Sequence, residues 1–132
     1  MILKVKLLEH VNINTTNLEL LEDWYTEVLS LKKGYRPPFG VPGAWMYAGD
    51  IPMIHLLEVE GALKAPSPSI EHFAMRATGL RTLLSRLEEK GIPFTPVRVP
   101  ELRILQINIS DPEGNHMHID FPPEEADELG FE

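Results

Sequence analysis

Five histidines are the chemistry-bearing residues of this 132-residue chain: His10, His55, His72, His116 and His118. Their spacing is not random. The stretch LEHVNINTTNL (8–18) is echoed sixty-two residues later by IEHFAMRATGL (70–80), so that His10 falls on His72, Thr16 on Thr78 and Leu18 on Leu80. His55 follows His10 by forty-five residues and His118 follows His72 by forty-six, so each half has an early and a late histidine, and one inserted residue accounts for the difference. Four imidazoles brought to one point could not all be charged; they would have to be neutral, or bind something that wants lone pairs. A divalent metal fits best, with His10, His55, His72 and His118 as ligands. Iron, zinc, nickel, cobalt and manganese all accept imidazole, and affinity alone does not choose among them. Such a centre keeps its +2 charge uncompensated by ligands and favours an anionic, chelating substrate such as an enolate, enediolate or catecholate. His116, two residues from His118, would compete geometrically as a ligand and is read as a supporting or exposed side chain.

Each pair of positions needs an element to carry it. His10, Asn12 and Asn14 alternate with Val11 and Ile13, which predicts a strand over 3–14 with one polar and one apolar face. Thr16 opens Thr-x-x-Glu, a capping box with Glu19, and Leu18, Leu21, Tyr25 and Val28 follow at helical spacing, giving a helix over about 17–30 stopped by Gly34. RPPFGVPGAW (36–45) reads as a loop, with Phe39 and Trp45 as a possible cover for an aromatic or acyl substrate. Trp45–Tyr47 and Pro52–Val59 are short strands. GALKAPSPS (61–69) reads as a linker. The pattern then restarts: His72, Ala74 and Arg76 oppose Phe73 and Met75, Leu80, Leu83, Leu84 and Leu87 form one helical stripe ended by Gly91, and strands lie near 94–99, 103–110 and 115–121, with DPEGN (111–115) as a turn. His55 shares its face with Met53 and Leu57, and His118 shares its face with His116 and Asp120, which makes Asp120 the candidate for orienting an imidazole. Asn12, Arg76, Gln106 and Asn108 lie on the same open faces, with Asn12, Arg76 and Gln106 as substrate-binding candidates and Arg76 a partner for an anionic group.

The duplication predicts an α+β fold: two tandem βαβββ modules (about 5–60 and 70–121) forming a curved, partly open mixed sheet around a metal site, followed by an acidic tail, 122–132. Cysteine is absent, which excludes a disulfide framework and thiolate ligands. The formal charge is −8, and removing the five acids of the tail (Glu124, Glu125, Asp127, Glu128, Glu132) leaves about −3 for the body. The tail reads as a solvated terminus. An acidic surface without a basic stripe excludes nucleic acid and anionic membranes as partners. Lysines interrupt the apolar run in MILKVKLL, so it reads as neither secretory signal nor spanning helix, and the expected location is the cytoplasm.

LEHVNI, DWYTEVLSLKKG, PMIHLL, IEHFAM and QINISDPEGNHMHIDF, in this order and spacing, resemble the vicinal oxygen chelate superfamily of glyoxalases, extradiol dioxygenases, fosfomycin-resistance enzymes and bleomycin-resistance proteins. The resemblance covers about residues 7–121. It implies a metal-dependent enzyme that chelates vicinal oxygens of a small organic substrate, of glyoxalase-like lyase or isomerase type or of dioxygenase type, and, by size, a homodimer. It matches His10 and His72 to the metal-binding histidines of the two first strands. His55 stands where glyoxalase I has a carboxylate, and His118 where a glutamate is usual in a pattern like DPDGNxxEL. That glutamate also shuttles the proton in glyoxalase I, so the resemblance makes His118 the catalytic candidate while changing the chemistry available to it. The alternative is a non-catalytic drug- or metabolite-binding protein of bleomycin-resistance type, for which the acidic surface would suit a cationic ligand; those proteins lack the metal ligands. A metal-bearing scaffold that has lost activity with its glutamate is a third reading.

Overall fold

The computed structural model describes residues 2, 7–61 and 72–132. The chain divides into two compact units, Met1–Leu63 and Lys64–Glu132. All but the first residue of the expected linker lies outside the described residues. Among the described residues no helix is long and apolar enough to cross a membrane.

The first unit runs β1 (Val11–Thr15), α1 (Leu18–Glu27), β2 (Lys32–Gly34), β3 (Gly43–Ala48) and β4 (Ile51–Glu58). Its four strands form one mixed sheet in the order β1-β4-β3-β2, with β1 parallel to β4 and the other pairs antiparallel. The second unit repeats this as β5 (Phe73–Arg76), α2 (Leu80–Lys90), β6 (Thr95–Arg98), β7 (Leu105–Ser110) and β8 (His116–Phe121), in the order β5-β8-β7-β6, and adds α3 (Pro123–Glu128). Two βαβββ modules of an α+β fold are therefore present, each with its own open sheet. From the start of the helix to the start of the third strand the two modules keep the same spacing, Leu18 to Gly43 and Leu80 to Leu105.

Period-2 alternation builds the strands. On β4, Ile54 and Leu56 are buried with Ile13, Ala44 and Met46, and α1 covers this side with Leu21, Tyr25 and Val28. On β8, Met117, Ile119 and Phe121 are buried, as are Leu105, Ile107 and Ile109 of β7 and Leu80, Leu83 and Leu87 of α2. Leu84 of the expected stripe is half-buried. Gly91 ends α2 as expected, in left-handed conformation (φ +65°), while the Ile92 N–H returns to the Leu87 carbonyl at 2.9 Å.

Several local expectations are corrected. The first strand starts at Val11; residues 3–6 of the expected strand lie outside the described residues and 7–10 are irregular. The N-cap of α1 is Asn17, whose side-chain oxygen accepts from the Leu20 N–H at 3.1 Å, and not Thr16. Asparagine wins because the Thr15 hydroxyl already accepts the Asn17 N–H at 2.9 Å, which turns the chain one residue later. The helix also ends at Glu27, short of residue 30, and Gly34 closes the short strand β2. Trp45 lies in β3, as the strand reading of Trp45–Tyr47 expected, so of the two aromatic residues only Phe39 lies in the loop.

The acidic tail is the largest correction, because it folds. Ala126 of α3 is fully buried, and Glu125 receives the Gly79 N–H and the Leu80 N–H, both at 2.9 Å. Gly79, the N-cap of α2, has no side chain to satisfy these donors, so a carboxylate from α3 does it. Arg98, with a 7% exposed side chain, binds Asp127 at 2.7 Å and the Phe131 carbonyl at 3.0 Å. Replacing Glu125 by alanine is expected to lower stability by about 1 kcal/mol, the usual value of a lost helix cap. The measurement is the urea midpoint beside that of the exposed-site control Glu124→Ala; equal midpoints would refute the cap.

Candidate metal centre

In the first unit the site is built on β4, one of the two strands flanked on both sides. Asn12 of β1 and Trp45 of β3 are the register partners of His55, so the three occupy one row across the sheet. The imidazole of His55 is sandwiched. Its centroid lies 4.1 Å from Trp45 at an interplanar angle of 14°, and 3.8 Å from His10 at 7°. His10, one residue before β1, lies with Nδ1 3.1 Å from Glu9 Oε1. The Pro52 carbonyl accepts a hydrogen bond from the His55 ring, while His55 Nε2 is buried and has no hydrogen-bond partner. A carbonyl can only accept, so Nδ1 carries the proton and Nε2 the lone pair. Burial, followed by the neighbouring charge of His10, lowers the pKa of His55 below its ordinary 6.5, with Arg36 adding to the effect and Pro52 and Glu9 opposing it. His55 is therefore a neutral imidazole at physiological pH, with an unspent lone pair inside the protein.

The second unit presents a related pair on β8. His118, buried at 8% exposure, lies with Nδ1 2.5 Å from Asp120 Oδ1, so the expected orienting role of Asp120 has a geometric basis. A carboxylate accepts, which places the lone pair of neutral His118 on Nε2. His72, immediately before β5, has its ring centroid 4.9 Å from that of His118 and 5.1 Å from that of His116. His116 is engaged elsewhere. Its Nε2 lies 2.9 Å from Asn108 Oδ1, and the amide orientation is fixed by donation from Asn108 Nδ2 to the Thr95 carbonyl at 3.2 Å. Asn108, Thr95, Ser110, His116 and Phe94 line an open pocket of about 360 Å³ beside this pair. Thr95 and Ser110 carried no sequence signal, because serine and threonine at strand ends are unremarkable.

The β7–β8 turn that holds His116 and His118 in place is knotted by a buried side chain. Asp111 accepts from the Glu113 and Asn115 N–H groups, both at 2.9 Å, and from the Asn115 side chain. Gly114, at φ +83°, supplies the left-handed residue of the turn.

The proposed substrate-binding residues are more dispersed. Asn12 is exposed and donates to Asn14 at 3.0 Å. Arg76 and Gln106 both take Asp120 as register partner, which sets them one row from His118. Arg76 is exposed and forms no ion pair among the described residues. Within either unit, no three His, Asp or Glu side chains among the described residues are grouped to hold a metal ion. Each module thus brings two histidines side by side, His72 tilted against His118 and His10 stacked parallel on His55, and that stack would have to open for both of its rings to face one ion.

Residues 7–119 match the family model of the Glyoxalase/Bleomycin resistance protein/Dioxygenase superfamily. The chain belongs to this superfamily. No curated protein matches the sequence. Among solved structures, a glyoxylase/bleomycin resistance protein/dioxygenase domain from Frankia sp. EAN1pec is similar with a TM-score of 0.75 and 20% identity, over 90% of this chain and 93% of that one. A putative glyoxalase family protein from Bacillus anthracis has a TM-score of 0.74 at 18% identity, covering 92% of this chain and 99% of that one. A lactoylglutathione lyase from Agrobacterium tumefaciens has a TM-score of 0.63 at 16% identity, covering 91% and 96%. At these identities the likeness speaks for the fold, and the chemistry of this superfamily member has to be argued from its own histidines.

The depressed pKa of His55 makes stability depend on pH. Between the folded value and the unfolded value near 6.5, the unfolded chain binds more protons, so acidification through that interval favours unfolding. The contribution of His55 to the stability of chelator-treated protein is expected to be complete above about pH 6.5 and to fall below it. His55→Gln should remove that part of the slope in urea titrations between pH 8 and pH 5.5. Identical slopes for the two proteins would contradict the assignment.

Proposed function

We propose that the chain is a metal-dependent enzyme of glyoxalase or dioxygenase type whose divalent ion is bound by histidine, with His10 and His55 the candidate ligands of one module and His72 and His118 those of the other. The observation that carries this reading is the state of the imidazoles. In His10, His55 and His118 an oxygen acceptor faces Nδ1, namely Glu9, the Pro52 carbonyl and Asp120, which turns the lone pair onto Nε2. This is the arrangement by which metal-binding histidines are held in one tautomer and made better donors. The buried, partnerless Nε2 of His55 is the group an ion would satisfy.

The donor set fits a borderline cation such as iron, zinc, nickel or cobalt, and less readily the harder manganese. Such an ion would polarise two adjacent oxygens of a small substrate and stabilise negative charge developing on them. The chain's own side chains do the rest. Trp45 fixes the plane of His55 by stacking, and Asp120 fixes the ring of His118. The short Nδ1 to Oδ1 contact between His118 and Asp120 is a place where a proton can be held and passed, the task that a glutamate serves in glyoxalase I. Asn12, Gln106 and Arg76, on or beside the rows of His55 and His118, are the polar groups available to orient the substrate.

Untagged protein purified without chelator is expected to carry near-stoichiometric metal. His10→Ala and His72→Ala, one from each module, should each lower uptake. Undiminished metal content in both variants would overturn the reading. Asp120→Asn, which keeps the shape but weakens the acceptor, is expected to reduce metal affinity by about 10–100-fold. Isomerisation of a hemithioacetal, set against oxygen uptake with a catechol after ferrous loading, then separates the two chemistries. A metal-free protein that still binds small organic molecules would instead support the binding-protein alternative.

A further inference from the structure

The geometry points to a second element of recognition in the first unit: we infer that Arg36 forms an anion subsite that takes the carboxylate of a small organic acid beside His55. This rests on the reading of His55 as part of the reacting centre for its meaning, although the subsite itself needs no metal.

Arg36 lies in the loop between β2 and β3, half-buried. Three contacts hold its guanidinium. Nη1 donates to the Val41 carbonyl at 3.0 Å, and Cζ stands 4.9 Å from the centroid of Phe39. The third contact is with the sheet. A Cβ placed on Gly43 would lie 2.5 Å from the Leu56 carbonyl oxygen, 2.7 Å from Nη2 and 2.8 Å from Cζ, so the paired strand already excludes a side chain here and the guanidinium lies in the space that glycine leaves.

Parity gives the side. Gly43 and Trp45 are two residues apart on β3 and face the same way, and their partners on β4 are Leu57 and His55. The guanidinium therefore lies on the histidine-bearing face, one row of side chains (about 7 Å) from the Trp45–His55 row. No carboxylate among the described residues pairs with Arg36, and its Nε and Nη2 have no hydrogen-bond partner among them. Nε and Nη2 together form one edge of the guanidinium, which matches the two oxygens of a carboxylate. Phe39, 57% exposed and 6.1 Å from Trp45, extends the aromatic surface next to that edge, so a planar acid would find both a cation and an apolar wall. Arg36 is thus a charged group tethered through Nη1, with Nε and Nη2 making no hydrogen bond among the described residues, on the face where the candidate ligands of this unit stand.

Benzoate serves as the probe, with benzyl alcohol as its uncharged counterpart, in NMR titrations of the full chain with and without bound metal. Benzoate is expected to bind more tightly than benzyl alcohol, and Arg36→Gln to weaken benzoate about tenfold or more, the scale of a lost charge-assisted pair of hydrogen bonds, while leaving benzyl alcohol unchanged. Arg36→Lys, which keeps the charge and loses the paired edge, should fall between. Equal benzoate affinity in the wild type and Arg36→Gln, or no preference of the wild type for benzoate over benzyl alcohol, would overturn the subsite. The two proposals fail separately: Arg36-dependent benzoate binding in a protein that takes up no metal sinks only the metal centre, and metal uptake with Arg36-independent binding sinks only the anion subsite.

Discussion

Alternation of side chains along an inner strand is the constraint on which the rest depends. β4 and β8 are each hydrogen-bonded on both sides, and each places a histidine between two buried apolar residues: Ile54 and Leu56 around His55, Met117 and Ile119 around His118. A slip of one residue would exchange the faces. It would bring out two large apolar side chains per strand, each of which gains roughly 1.5–3 kcal/mol by burial, and turn an imidazole inward. No hydrogen bond available to an imidazole approaches that cost, so core packing decides where the chemistry stands. In the second module the Asp111 knot fixes the same register locally, since four hydrogen bonds converge on one carboxylate at the start of the turn.

With position fixed by the core, the remaining freedom of each imidazole is its rotation and its proton. The partners that settle these are close in sequence: Glu9 for His10, Pro52 for His55, Asp120 for His118. Stacking adds a second restraint at His55, held between Trp45 and His10 like a page between two others. Leaving a buried acceptor unpaired costs on the order of 1–3 kcal/mol, and a fold selected only for stability would have little reason to keep the Nε2 of His55 in that state.

What the sequence made legible follows from how local each signal was. Period-2 alternation located β1, β4, β5 and β8 and assigned their faces, because burial on one side leaves a mark at every second residue. Asp120 was readable as a partner of His118 for the same reason, being two residues away on one strand. The helix of the second module could be read to its last turn, since Gly91 adopts the left-handed conformation that only glycine takes at little cost. Signals that depend on tertiary placement were hidden. Nothing in PEEADE announces that Glu125 reaches a glycine N-cap forty-six positions earlier or that Asp127 meets Arg98, so a charged run was read as solvated. The strand at Trp45–Tyr47 was readable, but the stacking of Trp45 on His55 needed the pairing of β3 with β4. The role of Arg36 needed the absence of a side chain at Gly43, which a sequence shows only as one more glycine in a turn-rich stretch.

Electrostatics ties these pieces together. A ligand set made only of imidazole brings no negative charge to a cation, whereas a set containing glutamate does. Here the negative charges stand one atom further out, on Glu9 and Asp120, each against an Nδ1. A carboxylate in that position raises the donor strength of the ring without direct contact with the ion, so a cation held there as proposed would keep more of its charge for a substrate. The chain as a whole is acidic, at −8, and an anionic substrate approaching it meets repulsion over most of its surface. A fixed guanidinium on the histidine-bearing face reverses that sign locally. If the proposed metal centre and anion subsite both hold, the guanidinium would favour a small anion at that face against the repulsion of the acidic surface.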